Sequence, residues 1–134
     1  MSQPFHHPVT ILAEGSDDFR RVLWTGRLAQ LVIMTIPPGG EIGAEVHAHT
    51  DQVLGVVSGL GSAVVDGHEA SLAPGDVVTV SAGSRHDVVN AGPLPLVLWT
   101  VYAPPEHALD AVHHTRAEAD AAEESGEDVA PPAL

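Results

Sequence analysis

Side chains able to hold a metal ion or move a proton cluster at two places in this chain. Glu45, His47 and His49 lie in GAEVHAHTDQ, and His86 lies in GSRHDVVN. In an extended strand the side chains at i, i+2 and i+4 share a face, so Glu45, His47 and His49 point the same way. Gln52 follows a Thr50-Asp51 bend and opens the next strand, near the place where Glu45 and His47 sit across from it. His86 begins a later strand, and Asn90, four residues on, shares its face. Carboxylate, imidazole, amide and a second imidazole thereby converge from three strands. These donors suit Mn, Fe, Co, Ni or Zn without any thiolate. Histidine titrates near neutrality, which makes His49 the candidate proton carrier, a catalytic role.

The elements that must position these residues read as short apolar segments punctuated by Gly, Pro, Asn and Asp. Strands are expected at Arg21–Trp24, Ala29–Ile36, Glu45–His49, Gln52–Ser58, Gly61–Val65, Glu69–Leu72, Asp76–Val80, Arg85–Asn90 and Leu96–Tyr102. They are rich in Val, Leu, Ile and Thr, and several alternate in polarity. Asp66-Gly67 is a two-residue hairpin signal between two of them. Many short strands with no helical period among them indicate an all-β sandwich or barrel. The texture changes after Pro104-Pro105: His107 to Glu124 is rich in Ala and charge, with Leu109 and Val112 offering a short apolar stripe for a helix. Residues 1–8 read as an N-terminal segment, 9–104 as the barrel, 105–124 as a helical segment and 125–134 as a disordered acidic tail.

Composition excludes several functions. The chain has 134 residues, one domain's worth, and no cysteine, so disulfides, thiolate sites and cysteine nucleophiles are ruled out together. Its net charge of −13 repels a polyphosphate backbone, which excludes nucleic acid as a partner. No apolar run reaches the ~20 residues of a membrane-spanning helix, and the N-terminus lacks the basic-then-apolar order of a secretory signal. A cytoplasmic location is expected. Of nine histidines, the pairs His6-His7 and His113-His114 lie near the ends and are not expected to ligate. Arg20, Arg21 and Arg27 are expected on the surface. Trp24, Met34, Trp99 and Tyr102 could line a pocket or serve as core. No Ser–His–Asp arrangement can be read from the order of residues.

The stretches Gly39–Gly59 and Gly75–Asn90 resemble the paired motifs of the cupin superfamily. Gly39, Glu45-Val46-His47, Gln52 and Gly59 follow the spacing of its first motif, and Gly75, Ser81-Ala82-Gly83, His86 and Asn90 that of its second, with serine replacing proline. The resemblance implies a single-domain antiparallel cupin β-barrel of jelly-roll type, with a short C-terminal helix or tail. The segments PPGGEIGAEVH, TDQ and PPEHALDAVHHTRAEA also resemble a bacterial subgroup of small cupins labelled mannose-6-phosphate isomerase-like, a label that reflects shared fold more than activity.

Carried over by position, the metal ligands implied are Glu45, His47, Gln52 and His86. Glu45 stands where the family has histidine, and Gln52 where it has glutamate, so net ligand charge is kept while one imidazole gives way to oxygen. A second register uses His47, His49 and His86 with Gln52. It restores three imidazoles but leaves too few residues before Gln52. The resemblance implies a divalent transition metal (Mn, Fe, Ni, Co or Zn) and an enzyme of oxygenase or isomerase/lyase type acting on a small polar metabolite. The alternative is a non-catalytic binding or sensing cupin. A homodimer is expected, because a short chain gains core by pairing.

Overall fold

The computed structural model describes residues 3–132; Met1-Ser2 of the expected N-terminal segment and Ala133-Leu134 of the expected tail lie outside the described residues. The elements run α1 Val9–Glu14, β1 Arg20–Thr25, β2 Gln30–Ile36, β3 Glu45–Val46, β4 Asp51–Ser58, β5 Gly61–Val65, β6 His68–Leu72, β7 Val77–Val80, β8 Arg85–Val89, β9 Leu96–Ala103, β10 Val112–His113 and α2 Arg116–Ser125. They form a six-stranded sheet in the order β10-β1-β2-β9-β4-β7 and a four-stranded sheet in the order β3-β8-β5-β6. All the strand pairings are antiparallel. The two sheets close over one core, the jelly-roll arrangement expected from the sequence.

Alternation along the strands builds that core. In β9, Leu96, Leu98, Thr100 and Tyr102 are buried on the inner face, and their register partners Ile36, Met34, Val32 and Gln30 on β2 face the same way. Val56, Leu54, Ala63, Val88 and Leu72 join them from the other strands, so both sheets contribute to a single apolar cluster. A one-residue slip would turn this whole set outward, which is why the register is strongly specified. The outer face of the larger sheet has its own small cluster, where α1 places Ala13 against Ile33 and Val97. Asp66-Gly67 forms the expected hairpin, with φ of 47° and 81°; both residues are left-handed, as a type I′ turn requires.

Three local features depart from the sequence reading. The strand expected over Glu45–His49 ends at Val46, and Ala48-His49 form a turn. The helix expected over His107–Glu124 is confined to Arg116–Ser125, because Thr115 and Glu118 close a capping box that fixes its start. Ahead of it, Val112-His113 pair with β1. Finally, Asp128 lies in the stretch expected to be a disordered tail, yet its carboxylate has only 3% side-chain exposure and bonds His107 Nδ1 at 2.8 Å and the Ala108 amide at 2.8 Å. Among the described residues no helix is long and apolar enough to cross a membrane.

Candidate metal centre

The short pair β3/β8 sets the site. Glu45 and His86 are direct cross-strand partners, so their side chains emerge on one face, separated only by the width of the ladder. His86 is buried to 3% exposure, flanked on the same face of β8 by Val88 of the core. His47 follows two residues after Glu45, and its carbonyl accepts a 2.8 Å hydrogen bond from the Gly83 amide, which pins the chain beyond the strand end. One donor atom each from Glu45, His47 and His86 lies within 4.8 Å of the others, the condition for gripping one ion. Ligands on one metal at bonds of roughly 2.2 Å stand no more than about 4.4 Å apart, so a shift of a few tenths of an ångström completes the set.

The second nitrogen of each ring is occupied. His47 Nδ1 lies 3.0 Å from Glu106 Oε1, and the other Glu106 oxygen accepts from Thr50 Oγ1 at 2.9 Å. His86 Nδ1 lies 3.2 Å from the Ser84 carbonyl oxygen. Partners of this kind fix the tautomer of a ligating histidine and leave Nε2 for the ion. Glu45 Oε2 stands 3.0 Å from His47 Nε2 but off the line of a hydrogen bond, so this buried nitrogen has no in-line partner. A buried ring nitrogen set against a carboxylate without an in-line bond is satisfied by a shared proton or by an ion placed between the two groups. The donor set fits a divalent transition metal.

Electrostatics support the fit. Burial disfavours charge on the His47 ring, but the hydrogen bond to Glu106 and the adjoining Glu45 carboxylate outweigh it and lift the imidazole to about 9. Burial likewise opposes ionisation of Glu45 and of Glu106, and the protonated His47 ring overcomes it in both, as a close charge 3.0 Å from Glu45 and as a hydrogen-bond partner of Glu106, so each is held below the usual carboxylate range. Without a metal, a proton on His47 offsets two carboxylates; a dication would take over that duty.

Gln52 is also buried, at 2% exposure. It stands opposite Tyr102 in the β4/β9 register, and the Tyr102 ring meets the His47 ring edge-on at 5.8 Å. Gln52 Nε2 donates to Thr100 Oγ1 at 3.0 Å, and Oε1, the atom able to ligate, has no partner. His49 is exposed on its turn and outside the cluster, because the strand that would have carried it inward ends three residues earlier. Asn90 is structural: it bonds the Ile36 and Leu94 carbonyls and accepts from the Gly92 amide. Trp99 covers Gly55 on the outer face of the sheet, Met34 is core, and of the expected pocket residues Tyr102 reaches the site.

Sequence reasoning missed Glu106, which no motif marks and which a loop after β9 brings back beneath His47. It also missed Arg20, expected on the surface but only 4% exposed, because Arg20 pairs in register with Met34 of the inner face. Arg20 Nη1 lies 3.9 Å from Asp128 Oδ2, beside His107. His113, near the chain end, is buried on β10. Above the candidate ligands opens a polar cavity of about 300 Å³, with Glu45, His47 and Glu106 on its barrel side and Arg116, Asp120 and Glu123 of α2 on the other.

A compact antiparallel barrel with a histidine–carboxylate cluster at one mouth defines the class. Residues 32–102 match the Cupin domain family, and the chain belongs to it. The uncharacterized protein YrkC of Bacillus subtilis is 34% identical over 128 residues, covering 91% of this chain and 69% of that protein. The crystal structure of BH2720 from Bacillus halodurans is 35% identical with a TM-score of 0.87, covering 89% of this chain and 95% of that one. TT1209 from Thermus thermophilus is 28% identical with a TM-score of 0.61, covering 63% of this chain and 81% of that one.

Proposed function

We propose that Glu45, His47 and His86 hold a divalent transition metal, with the Gln52 amide oxygen as a fourth donor, and that the protein is a metal-dependent enzyme acting on a small polar metabolite. The observation that carries this reading is the buried His47 Nε2, which has no in-line partner although its ring is clamped from behind by Glu106. Mn, Fe, Co, Ni and Zn all suit two imidazoles and two oxygens. Such an ion supplies Lewis acidity, and one-electron chemistry where Fe or Mn is bound. The protein's own part is to keep Glu45 and Glu106 ionised, to hold both Nδ1 atoms, and to offer a cavity wide enough for a modest ligand. Burial pushes the Tyr102 hydroxyl well above its ordinary value, so it stays protonated beside the site and can donate but not act as a base. Isomerase/lyase and oxygenase chemistry are both compatible with this set.

Elemental analysis of protein purified without added metal tests the proposal. One equivalent of metal is expected, lost in His47→Ala and His86→Ala. A site that stays empty and refuses Mn, Fe, Co, Ni and Zn on reconstitution would leave the non-catalytic binding role. The protein partner proposed is a second copy of the chain. Supporting this, the outer face of the large sheet carries the register row Trp24, Leu31, Val101 and Val53, with Trp24 40% exposed. Sedimentation showing only monomer at micromolar concentration would remove the dimer.

A further inference from the structure

The cavity above the cluster has an unbalanced lining. Four carboxylates, Glu45, Glu106, Asp120 and Glu123, face one guanidinium, Arg116. That guanidinium is already shared, at 3.5 Å from Glu41 and 3.6 Å from Asp120. Its position is fixed from below by Gly43, where a Cβ would come within 2.5 Å of Arg116 Nη2. Buried Arg20 lies 3.9 Å from Asp128, outside the lining, and its charge offsets only part of the field at Glu45 and Glu123. A dication bound by Glu45 and the histidines would still leave the lining negative. Glu123 registers this field: burial and then the Glu45 charge hold its carboxyl above the usual range. The net charge of −13 adds to it at longer range.

Resting on the metal-site reading, we propose that the pocket selects a small cationic ligand, an amine carrying metal-binding hydroxyl or carbonyl oxygen. Its ammonium faces Asp120 and Glu123, and anionic congeners are rejected. Asp120 and Glu123 are three residues apart in α2 and so lie on one helical face, while the oxygen-binding end is set by the barrel. The Glu45, His47 and His86 donor atoms, within 4.8 Å of one another, mark where the ion sits and so where the ligand's other end meets it. Sugar phosphates have the wrong charge for this lining.

The test uses three probes that share a 1,2-diol on the Co(II)-loaded protein: 3-amino-1,2-propanediol, glycerol and 2,3-dihydroxypropane-1-sulfonate. Cobalt stoichiometry is measured first, and binding is then read from the change in the visible d–d spectrum. Each exposed ion pair contributes up to about fivefold, so the amine should bind roughly 5- to 20-fold more tightly than glycerol at low salt. The sulfonate should be weakest, and the preference should shrink in 0.5 M NaCl as screening requires. In the double variant Asp120→Asn/Glu123→Gln the order should flatten; cobalt content is measured alongside, so loss of ion and loss of selectivity are read separately. Sulfonate binding as tight as the amine, a preference that survives the double variant, or no spectral response to any probe overturns the assignment. Failure to bind cobalt at all overturns the metal site itself, a different result read at the first step.

Discussion

At the proposed site an ion and a proton would compete for the same nitrogen, and this competition has a measurable size. With His47 lifted to about 9, only about 1% of the ring is neutral at pH 7, since the gap is two units. A metal must displace that proton, so apparent affinity at pH 7 lies roughly 100-fold, or about 2.7 kcal/mol, below its alkaline plateau. Between pH 6.5 and 8.5 the logarithm of the apparent constant should therefore rise by about one per pH unit, with about one proton released per ion. Glu106→Gln perturbs both parts of this balance. It removes the carboxylate 3.0 Å from Nδ1, which lowers the ring's proton affinity, and it weakens the orienting bond. Loss of such a partner costs about 10- to 100-fold in metal affinity. At pH 8.5 the variant should show most of that loss, whereas at pH 6.5, where the native ring is hardest to deprotonate, the gap should narrow. Competition of Co(II) with a chromophoric chelator across this range gives the slope, and calorimetry in two buffers of different ionisation enthalpy gives the proton count. A flat native profile with no proton release, or an unchanged slope in Glu106→Gln, would refute a His47 whose proton is held in place by Glu106.

Other outcomes follow from the same contacts. In the metal-free protein His47 has a raised folded value, so its contribution to stability is complete below 6.5 and is lost as pH rises through about 9. The loss should be about 1–2 kcal/mol once solvent around Glu106 is allowed for, visible in urea melts at pH 6.5 and 9.5, and reduced by Glu106→Gln, with Glu45 supplying the remainder. Asp128 runs the other way. Its carboxyl is held down to about 2 because the His107 hydrogen bond and charge exceed the cost of burial, so its stabilisation is present above 3.8 and disappears as pH falls through 2. Asp128→Asn should lower stability by about 2 kcal/mol at pH 7, and melts near pH 2 should show little difference between variant and native protein. Gly67→Ala should cost about 1 kcal/mol purely through its φ of 81°, since nothing lies within 4 Å of the added methyl; no change in the urea midpoint would contradict the turn assignment.

The barrel was legible because its signals are local. Alternation placed β2, β4, β5 and β9 within a residue or so of their ends, and Asp66-Gly67 announced its hairpin. Glu45, His47 and His86 were legible through their spacing, and the structure brings their donor atoms together. The shared face expected for His49 was not met because periodicity cannot see where a strand stops; a turn at Ala48-His49 leaves the residue exposed. Glu106 left no mark because its role depends on a contact 59 residues distant in sequence. Arg20 and Asp128 were misjudged for a related reason. Charged residues near chain ends are ordinarily solvated, and only the fold supplies the carboxylate, guanidinium and imidazole that let these two be buried together.

The division of labour around the cavity has an evolutionary corollary. The side chains proposed to hold the ion come from β3, β8 and the loop after β9, while the facing wall comes from α2, docked by Ala119 and held beyond its end by Asp128. Replacement of the exposed side chains at 116, 120 and 123 would re-tailor which molecules are admitted without disturbing a single ion-binding atom. Related barrels can thus drift apart in diet while keeping identical machinery beneath, and the last helix is where that divergence should be sought.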